Sequence, residues 1–535
     1  MLFQLLLGLV GLYLVRIFLA RKKSNLPLPP GPKPKPFVGN LDEMPAQGVP
    51  QWRHWLRHKE LYGPISSITV FGQPIIILNE ARLATEILDK RSAIYSARPE
   101  QPFMAMTGWD KTMATVENTH HYAKMRKALH QEIGTKRAFS RFDRMMEVEI
   151  SRFLLRLLES PEEFRGHLKR ESFSFILKMT YGYNVEPEGS DPFVDLAEKG
   201  VDQICQAMLP GTWLVDYVPI LRYLPPWFPG AGFVRIAKEY RKHAAAFLDI
   251  PYMFVRQRMA QGDCTSSYMS NQLRESKPEP GSEEETVLKW SGVEFYLGGS
   301  DTVRLSTILS FFLAMSLNPE VQRKAQDEID RVVGTSRLPG HEDRDSLPYI
   351  NALVKEALRW HPALPTASPH MLIKDDTYKG YYFPKGSVFL PNIWAYAHDP
   401  DVYPNPMEFR PERFLSIDGS TPETDPSTFV FGFGRRACPG QVMTDFKVYL
   451  TIVRILVGFN ITPKTGHATV DLENAFIPAI LSHPKPFDVK ITPRSPAHER
   501  LIRTAGANAP WERSHAEEFK RAMRSHSQMM ATAEG

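Results

Sequence analysis

The chain opens with a run of apolar residues and then changes to shorter apolar and polar patterns. Leu2 to Ala20 is interrupted only by Gln4 and Arg16, and as a helix it is about 28 Å long, enough for a bilayer core. A cleaved signal peptide is the alternative, but the run lacks a basic start and a small-residue cleavage site. Basic residues follow at 21–23, so we expect a single-pass anchor over residues 1–20 and a cytosolic body.

Two further patterns indicate extended structure. Residues 21–36 are basic and then proline-rich, which predicts a stiff hinge that cannot be helical. Residues 65–78 alternate around a central Phe-Gly pair and predict a hairpin. Residues 381–393 also alternate around the Pro384–Gly386 turn, so we expect a small antiparallel sheet there.

Helical periodicity dominates the rest of the chain. A capping-box start at Ser282–Glu285 predicts a long apolar helix that ends near Leu317. Gly298 and Gly299 interrupt its middle, at a cost of about 1 kcal/mol each relative to alanine. Residues 495–535 are polar and charged, and predict a flexible tail, with a short amphipathic helix over residues 510–524 as the alternative. These patterns predict several helices together with short strands, in keeping with a mainly α fold that has a small β domain.

Composition narrows the possible functions. The net charge of the 535 residues is only +5, which does not favour nucleic acid as a partner. The three cysteines contain no Cys-x-x-Cys pair. This argues against a disulfide framework, a zinc site or an iron–sulfur cluster, and fits a reducing compartment.

The strongest candidate for chemistry is the segment Phe431-Gly-Phe-Gly-Arg-Arg-Ala-Cys438-Pro-Gly440. A cysteine thiolate can ligate a metal, and Arg435, Arg436 and a following helix N-terminus would lower the pKa of Cys438. The glycines let the backbone turn and lie close to a flat ring. The alternative is a buried cysteine that acts as a small apolar residue.

This segment resembles the haem-binding signature of the cytochrome P450 superfamily of haem-thiolate monooxygenases. The resemblance extends over about residues 27–494 and includes three more motifs in the expected order, at Gly298–Thr302, Glu356–Arg359 and Pro411–Phe414. It implies a cytochrome P450 fold with one catalytic domain over residues 37–494, a haem b whose iron is ligated by Cys438, and the use of dioxygen. The phrase at residues 221–232 is similar to fungal microsomal members, particularly the group like O-methylsterigmatocystin oxidoreductase.

The resemblance also implies roles for individual residues. Asp301 and Thr302 would organise a proton relay, and Glu356, Arg359 and Arg413 would form a structural network. Tyr122 stands where the family usually has a tryptophan, and its phenol can still form a hydrogen bond. The expected haem contacts are Tyr122, Arg126, His370, Phe431, Arg436 and Gly440. The expected substrate-pocket residues are Phe103, Met106, Leu297, Gly298, Ser300, Ala363 and Ile477.

The chain has no glycine-rich nucleotide fingerprint, so the electrons must come from a partner. The family expectation is NADPH–cytochrome P450 reductase in the endoplasmic reticulum membrane, docked on a basic face of Lys124, Lys127, Arg435 and Lys447. The expected substrate is a lipophilic small molecule, namely a terpenoid or polyketide intermediate of fungal secondary metabolism. Two alternatives remain: a haem-thiolate isomerase or dehydratase that needs no dioxygen, and a non-catalytic haem-binding protein.

Overall fold

The computed structural model describes residues 25–46, 48–117, 120–209, 211–299, 302–416, 419–464 and 471–534. The chain divides into two compact units. Unit 1 comprises residues 1–99, 366–396 and 433–436, and unit 2 comprises residues 100–365, 397–432 and 437–535.

Helices account for most of the described residues. In chain order the α-helices are α1 (Gln51–Tyr62), α2 (Ala81–Ala84), α3 (Ser92–Tyr95), α4 (Pro102–Thr107), α5 (His120–Ile133), α6 (Lys136–Phe139), α7 (Asp143–Glu159), α8 (Phe164–Tyr181), α9 (Pro192–Ala207), α10 (Leu214–Tyr217), α11 (Gly232–Ala260), α12 (Tyr268–Ser276), α13 (Glu283–Gly299), α14 (Val303–Leu317), α15 (Pro319–Val332), α16 (Pro348–Trp360), α17 (Ile393–Ala397), α18 (Ser427–Val430), α19 (Gln441–Gly458), α20 (Pro496–Ala507) and α21 (Ala516–Glu534). Short 3-10 segments include Leu41–Glu43, Pro411–Phe414 and Gly434–Arg436.

The strands form small sheets. They are β1 (Ile65–Val70), β2 (Gln73–Leu78), β3 (His370–Met371), β4 (Asp376–Tyr378), β5 (Tyr381–Phe383), β6 (Val388–Pro391), β7 (Phe459–Pro463) and β8 (Val489–Pro493). Unit 1 contains a four-stranded sheet in the order β1-β2-β6-β3 and the β4-β5 hairpin. Unit 2 contains the antiparallel pair β7-β8. The mainly helical fold with small sheets is therefore confirmed.

The strands of unit 1 confirm one predicted hairpin and divide the other predicted strands between two sheets. β1 and β2 pair antiparallel from Ile65–Leu78 to Val70–Gln73, as the alternation predicts. The strands of residues 381–393 each pair antiparallel as predicted, β5 with β4 and β6 with β3, but they belong to different sheets. β6 also pairs in parallel with β2, whose residues Ile76, Ile77 and Leu78 are fully buried.

The proline-rich hinge is described from residue 25, and it lies against β1. The Ser67 N–H donates to the Pro30 carbonyl at 2.8 Å, and the Ser67 hydroxyl donates to the Pro29 carbonyl at 2.6 Å. Gly31 belongs to this contact, because a Cβ there would overlap the Ser67 carbonyl oxygen. The backbone groups of an extended segment that cannot bond internally are thus satisfied by a strand.

The core of unit 2 is built around α14. Every residue from Arg304 to Ser316 is buried, so this helix is apolar on all sides, as a central helix must be. It packs against α16, α19 and the β7-β8 pair. The predicted long helix is present in two parts, because α13 ends at Gly299 and α14 begins at Val303.

The predicted anchor over residues 1–20 lies outside the described residues. Among the helices that the structure describes, none is long and apolar enough to cross a membrane.

The C-terminal segment is helical and not the flexible tail predicted over residues 495–535, and its last helix overlaps the alternative helix over residues 510–524. It forms α20 and α21, and α21 packs against α9 and α11. Phe519 is fully buried and stacks on Phe193 with ring centroids 4.4 Å apart. The Trp511 ring lies 4.4 Å from the Arg152 guanidinium and 4.2 Å from that of Arg156. The segment is polar overall, but its few apolar residues lie on the side that packs against the core. The overall polarity of a segment does not reveal such an arrangement.

This packing predicts that Phe519→Ala destabilises the protein by about 3–5 kcal/mol, because it removes a buried ring and leaves a cavity. Met529→Ala in the same helix is the control, since Met529 is 52% exposed. The measurement is the free energy of unfolding in denaturant, with hydrogen exchange of residues 516–534. Equal stability of both variants and rapid exchange throughout the helix would show a flexible tail instead.

Candidate active site

The loop that contains Cys438 is fixed by backbone hydrogen bonds within unit 2. The Cys438 N–H donates to the Phe431 carbonyl at 2.7 Å, which closes the loop. Gly432 adopts φ +78°, a conformation that favours glycine at this turn. The predicted helix after the cysteine is α19, which begins at Gln441 with Gly440 as its N-cap residue.

Cys438 is a free, partly buried cysteine with positive charge nearby. Burial raises the pKa of its thiol, whereas a hydrogen bond from the Gly440 backbone N–H and the charge of Arg126 lower it. We expected Arg435 and Arg436 to supply this charge, but the arginine that acts on the thiol is Arg126 from α5. In the sequence, only the family resemblance indicates that Arg126 belongs to the site.

Arg126 also holds the loop mechanically. Its guanidinium donates to the carbonyl of Ala437 at 2.7 Å and to the hydroxyl of Tyr122 at 3.3 Å. Tyr122 is buried on α5. The tyrosine that replaces the usual tryptophan therefore accepts a hydrogen bond from Arg126, and the residue before Cys438 is tied to the same side chain.

The helix break between α13 and α14 coincides with the predicted oxygen-activation motif. Thr302 is the N-cap residue of α14, and its hydroxyl donates to the Gly298 carbonyl. A Cβ on Gly299 would lie 2.5 Å from the end of the Ile176 side chain, which would have to shift to admit a larger residue. A Cβ on Gly298 would meet no described atom within 4 Å, so open space adjoins that residue. Ser300 and Asp301 lie outside the described residues.

The three residues expected to form a structural network lie together in unit 2. The carboxylate of Glu356 accepts from the Arg359 Nε at 2.7 Å and from the Arg413 Nε at 3.2 Å. All three side chains are fully buried. Arg359 also donates to the Ala397 carbonyl at 2.7 Å and Arg413 to the Pro404 carbonyl at 2.6 Å. These bonds satisfy charges that would otherwise be costly to bury.

The two expected haem contacts in unit 1 are both buried. His370 has its Nδ1 2.8 Å from the Tyr95 carbonyl, and Arg436 donates from Nε to the Ser96 carbonyl at 2.8 Å. Burial and the charges of Arg98 and Arg436 lower the pKa of His370 to about 3. His370 is therefore neutral, with Nδ1 as the donor. The charge in this group comes from Arg436 and from Arg98, a residue that sequence reasoning missed.

The predicted substrate-pocket residues fall into three places in unit 2. Phe103 and Met106 lie on α4. The Phe103 and Trp213 rings stack with their centroids 3.6 Å apart. Leu297 and Gly298 lie in the last turn of α13. Ala363 and Ile477 are joined through Ser482, whose N–H donates to Ala363 and whose hydroxyl donates to Ile477.

Glu294 is a second residue that sequence reasoning missed. It lies on α13 one turn before Leu297 and Gly298, and its carboxylate accepts from the Met113 N–H at 2.8 Å. Burial raises the pKa of Glu294 to about 7. Glu294 could have been recognised in the sequence, because an acidic side chain within an apolar helix needs a polar partner. This argument applies to Asp301 in the same way.

The proposed docking role of Lys447 is wrong. This lysine is buried in unit 2, with Nζ 3.3 Å from the Glu171 carboxylate and 3.7 Å from the centroid of the Phe175 ring. Glu171 also accepts from Arg304, near the start of α14. Polar residues near Lys447 in the sequence suggested an exposed helix position. The structure shows instead that α19 is buried on nearly all sides.

Comparisons with known proteins agree with this geometry. A family model described as cytochrome P450 matches residues 29–491. The chain is 46% identical over 517 residues to cytochrome P450 monooxygenase ppsD of Aspergillus oryzae, which covers 96% of this chain and 98% of that protein. It is 45% identical over 516 residues to O-methylsterigmatocystin oxidoreductase of Aspergillus flavus, with 96% and 97% covered. It is 44% identical over 506 residues to cytochrome P450 monooxygenase claR of Ampulloclitocybe clavipes, with 94% and 93% covered.

The chain therefore belongs to the cytochrome P450 family. It is a cytochrome P450 monooxygenase, an oxidoreductase whose family uses thiolate-ligated haem, dioxygen and electrons from a partner. The predicted resemblance to the group of O-methylsterigmatocystin oxidoreductase is confirmed. The donors around Cys438 fit this cofactor, because a free thiol beside an arginine and a backbone N–H has the surroundings that stabilise a thiolate ligand.

The buried Lys447 yields a pH-dependent prediction. Burial, opposed by Glu171 and assisted by Arg304, lowers its pKa to about 7, and Glu149 also faces the group. In the unfolded chain Lys447 keeps its proton up to about pH 10. Below pH 7 both states are charged, and burying the charge lowers the free energy of unfolding by its full cost. Above pH 7 the folded protein releases the proton, so this cost decreases as the pH rises.

Lys447→Met should therefore gain most stability relative to the wild type at about pH 6. That advantage should shrink by roughly 2 kcal/mol between about pH 7 and pH 9, since one pKa unit equals about 1.4 kcal/mol. Denaturant unfolding at each pH measures it, with Lys464→Met as the control because Lys464 is 60% exposed. An advantage that stays constant or grows with pH would contradict the buried-charge interpretation.

Proposed function

We propose that this protein is a monooxygenase of fungal secondary metabolism that oxidises a lipophilic small molecule with dioxygen and electrons from NADPH–cytochrome P450 reductase. The observation that carries the proposal is the Cys438 loop with its Arg126 and Gly440 contacts. The Aspergillus flavus relative is named for the oxidation of O-methylsterigmatocystin. That name favours a polyketide over a terpenoid as the substrate class.

Cys438 would be the thiolate ligand of the haem iron. When bound, a haem with a thiolate ligand supplies the activation of dioxygen and the transfer of one oxygen atom to the substrate. Arg126 and the Gly440 N–H favour the charged form of the sulfur, and the Arg126 bond to Ala437 keeps the loop in place. Phe431 closes the loop through its carbonyl. A ligand held in this way needs no reorganisation when substrate arrives.

Thr302 would hold and direct the water that delivers protons. Its position at the helix break gives its hydroxyl a carbonyl acceptor at Gly298, so the lone pairs of the hydroxyl oxygen stay available to a water molecule. Asp301, the expected proton source, precedes it directly in the sequence. Open space beside Gly298 supports the entry of small molecules at this turn.

The substrate would lie against apolar side chains from α4, the end of α13, and the loops that carry Ala363 and Ile477. Ser482 supports this arrangement, because its backbone and side chain bind both loops and its carbonyl accepts from Ser306 on α14. Glu294 adds a polar group near the apolar residues. An oxygen-bearing aromatic or cyclic substrate would use both kinds of contact.

The reductase would dock on exposed basic residues. Lys127 is exposed on α5, whereas Lys124 is engaged with Glu283 at 3.4 Å. Exposed charges steer an acidic partner and raise the encounter rate. The apolar residues 2–20 would anchor the protein in the endoplasmic reticulum membrane, where the reductase also resides.

The decisive test is oxygen transfer in a reconstituted system. Membranes containing the protein and its reductase are given NADPH, ¹⁸O₂ and a panel of lipophilic polyketides that starts with O-methylsterigmatocystin. We expect a product that carries one labelled oxygen and that forms only with the reductase. Product formed without dioxygen and reductase would support an isomerase or dehydratase. Ligand binding without consumption of NADPH would support a non-catalytic haem protein.

The same assay tests Thr302. Thr302→Ala should lower product formed per NADPH at least about tenfold and raise hydrogen peroxide, because proton delivery fails. Thr286→Ala is a matched control, since the hydroxyl of Thr286, on α13, also donates to the carbonyl four residues earlier, at Ser282. Equal coupling in both variants would exclude a role for Thr302 in proton delivery.

A further inference from the structure

Three metal-binding side chains come together in unit 1, outside the residues discussed so far. His54 and His58 are separated by one helical turn of α1, so they share one face of the helix. Glu43 is the last residue of the 3-10 segment Leu41–Glu43. One possible ligand atom from each of the three side chains lies within 4.8 Å of the others.

Each imidazole is oriented by an oxygen atom. The Nε2 of His54 is 2.7 Å from the Glu43 carbonyl, which can only accept, so this nitrogen carries the hydrogen. The Nδ1 of His58 is 3.3 Å from the Ser66 hydroxyl. Histidines that ligate metals usually bond a protein oxygen through one ring nitrogen and bind the metal through the other. In both rings one nitrogen has such an oxygen neighbour, so Nδ1 of His54 and Nε2 of His58 are the nitrogens left for a metal.

The surroundings keep the two rings in place. The His54 and His58 ring centroids are 6.1 Å apart, and the Trp55 ring packs edge-on against both. His58 is 3% exposed, whereas Glu43 and His54 are partly exposed and leave a route from solvent.

We propose that Glu43, His54 and His58 form a binding site for a divalent transition metal, with Zn²⁺ as the best match. Two imidazoles and one carboxylate are a common zinc donor set, and water would complete the coordination. The low cysteine count argues against a thiolate zinc site, but this set needs no cysteine. Ligand atoms around tetrahedral zinc lie about 3.3 Å apart, so binding draws the 3-10 segment and α1 closer together.

The site shares no residue with those proposed to hold the haem, so metal binding there can be measured apart from haem ligation. Its role would be to fasten the segment that follows the hinge to α1. It predicts a gain in thermal stability with zinc that does not depend on turnover.

The test uses the full-length, haem-loaded protein carrying an affinity tag without histidine. After treatment with a chelator, the protein is titrated with Zn²⁺ by calorimetry, and bound zinc is counted by elemental analysis. We expect one zinc per chain and a rise in the unfolding temperature with zinc. His54→Ala and Glu43→Gln should each weaken zinc binding by about 100-fold or more.

Asp42→Asn is the matched control, because Asp42 is an acidic neighbour of Glu43 that instead pairs with Lys35. It should bind zinc like the wild type. Haem content and circular dichroism establish that each variant is folded. The proposal is overturned if the wild type binds no zinc at micromolar concentrations, or if folded His54→Ala binds zinc as tightly as the wild type.

Discussion

The cysteine loop must satisfy two opposing demands, and much of the proposed site depends on how it does so. Burial excludes water from the sulfur but favours the neutral thiol, whereas a ligand to iron must be a thiolate. Arg126 opposes the effect of burial through its charge, and the Gly440 N–H does so through a hydrogen bond. Because Arg126 also donates to Ala437, one guanidinium both stabilises the charge and positions the loop. Bound iron would complete the deprotonation of the sulfur.

Two of the buried ionic groups in unit 2 differ in how fully their charges are satisfied. The Glu356 carboxylate is surrounded by donors from Arg359, Arg413 and the Arg410 N–H, so its charge is well satisfied. In the second group both Arg304 and Lys447 pair with the same carboxylate, that of Glu171. The first group stabilises the fold by joining α16 to the Pro411–Phe414 segment. The second group makes stability depend on pH, because Lys447 can release its proton near neutrality.

Sequence reasoning predicted the fold class and family because motif spacing is local and specific, whereas contacts between distant segments stayed hidden. The hairpin at residues 65–78 and the break after Gly299 follow from patterns within a few residues. The charge beside Cys438 comes from Arg126, more than three hundred residues earlier, and β6 pairs with β2 and not with its sequence neighbour. Lys447 and the tail were misjudged because polarity in sequence does not report which face a helix buries. Asp301 and Ser300 lie outside the described residues, so their roles stay predictions.

The carbon monoxide difference spectrum of the dithionite-reduced protein tests the central claim most directly. Cys438→Ser is compared with Cys264→Ser, a matched control at another free cysteine. The account predicts that the wild type and Cys264→Ser show the long-wavelength Soret band of a thiolate opposite carbon monoxide, and that Cys438→Ser loses it. If folded, haem-containing Cys438→Ser keeps that band, or if the wild type shows a band typical of a neutral ligand, Cys438 is not the iron ligand.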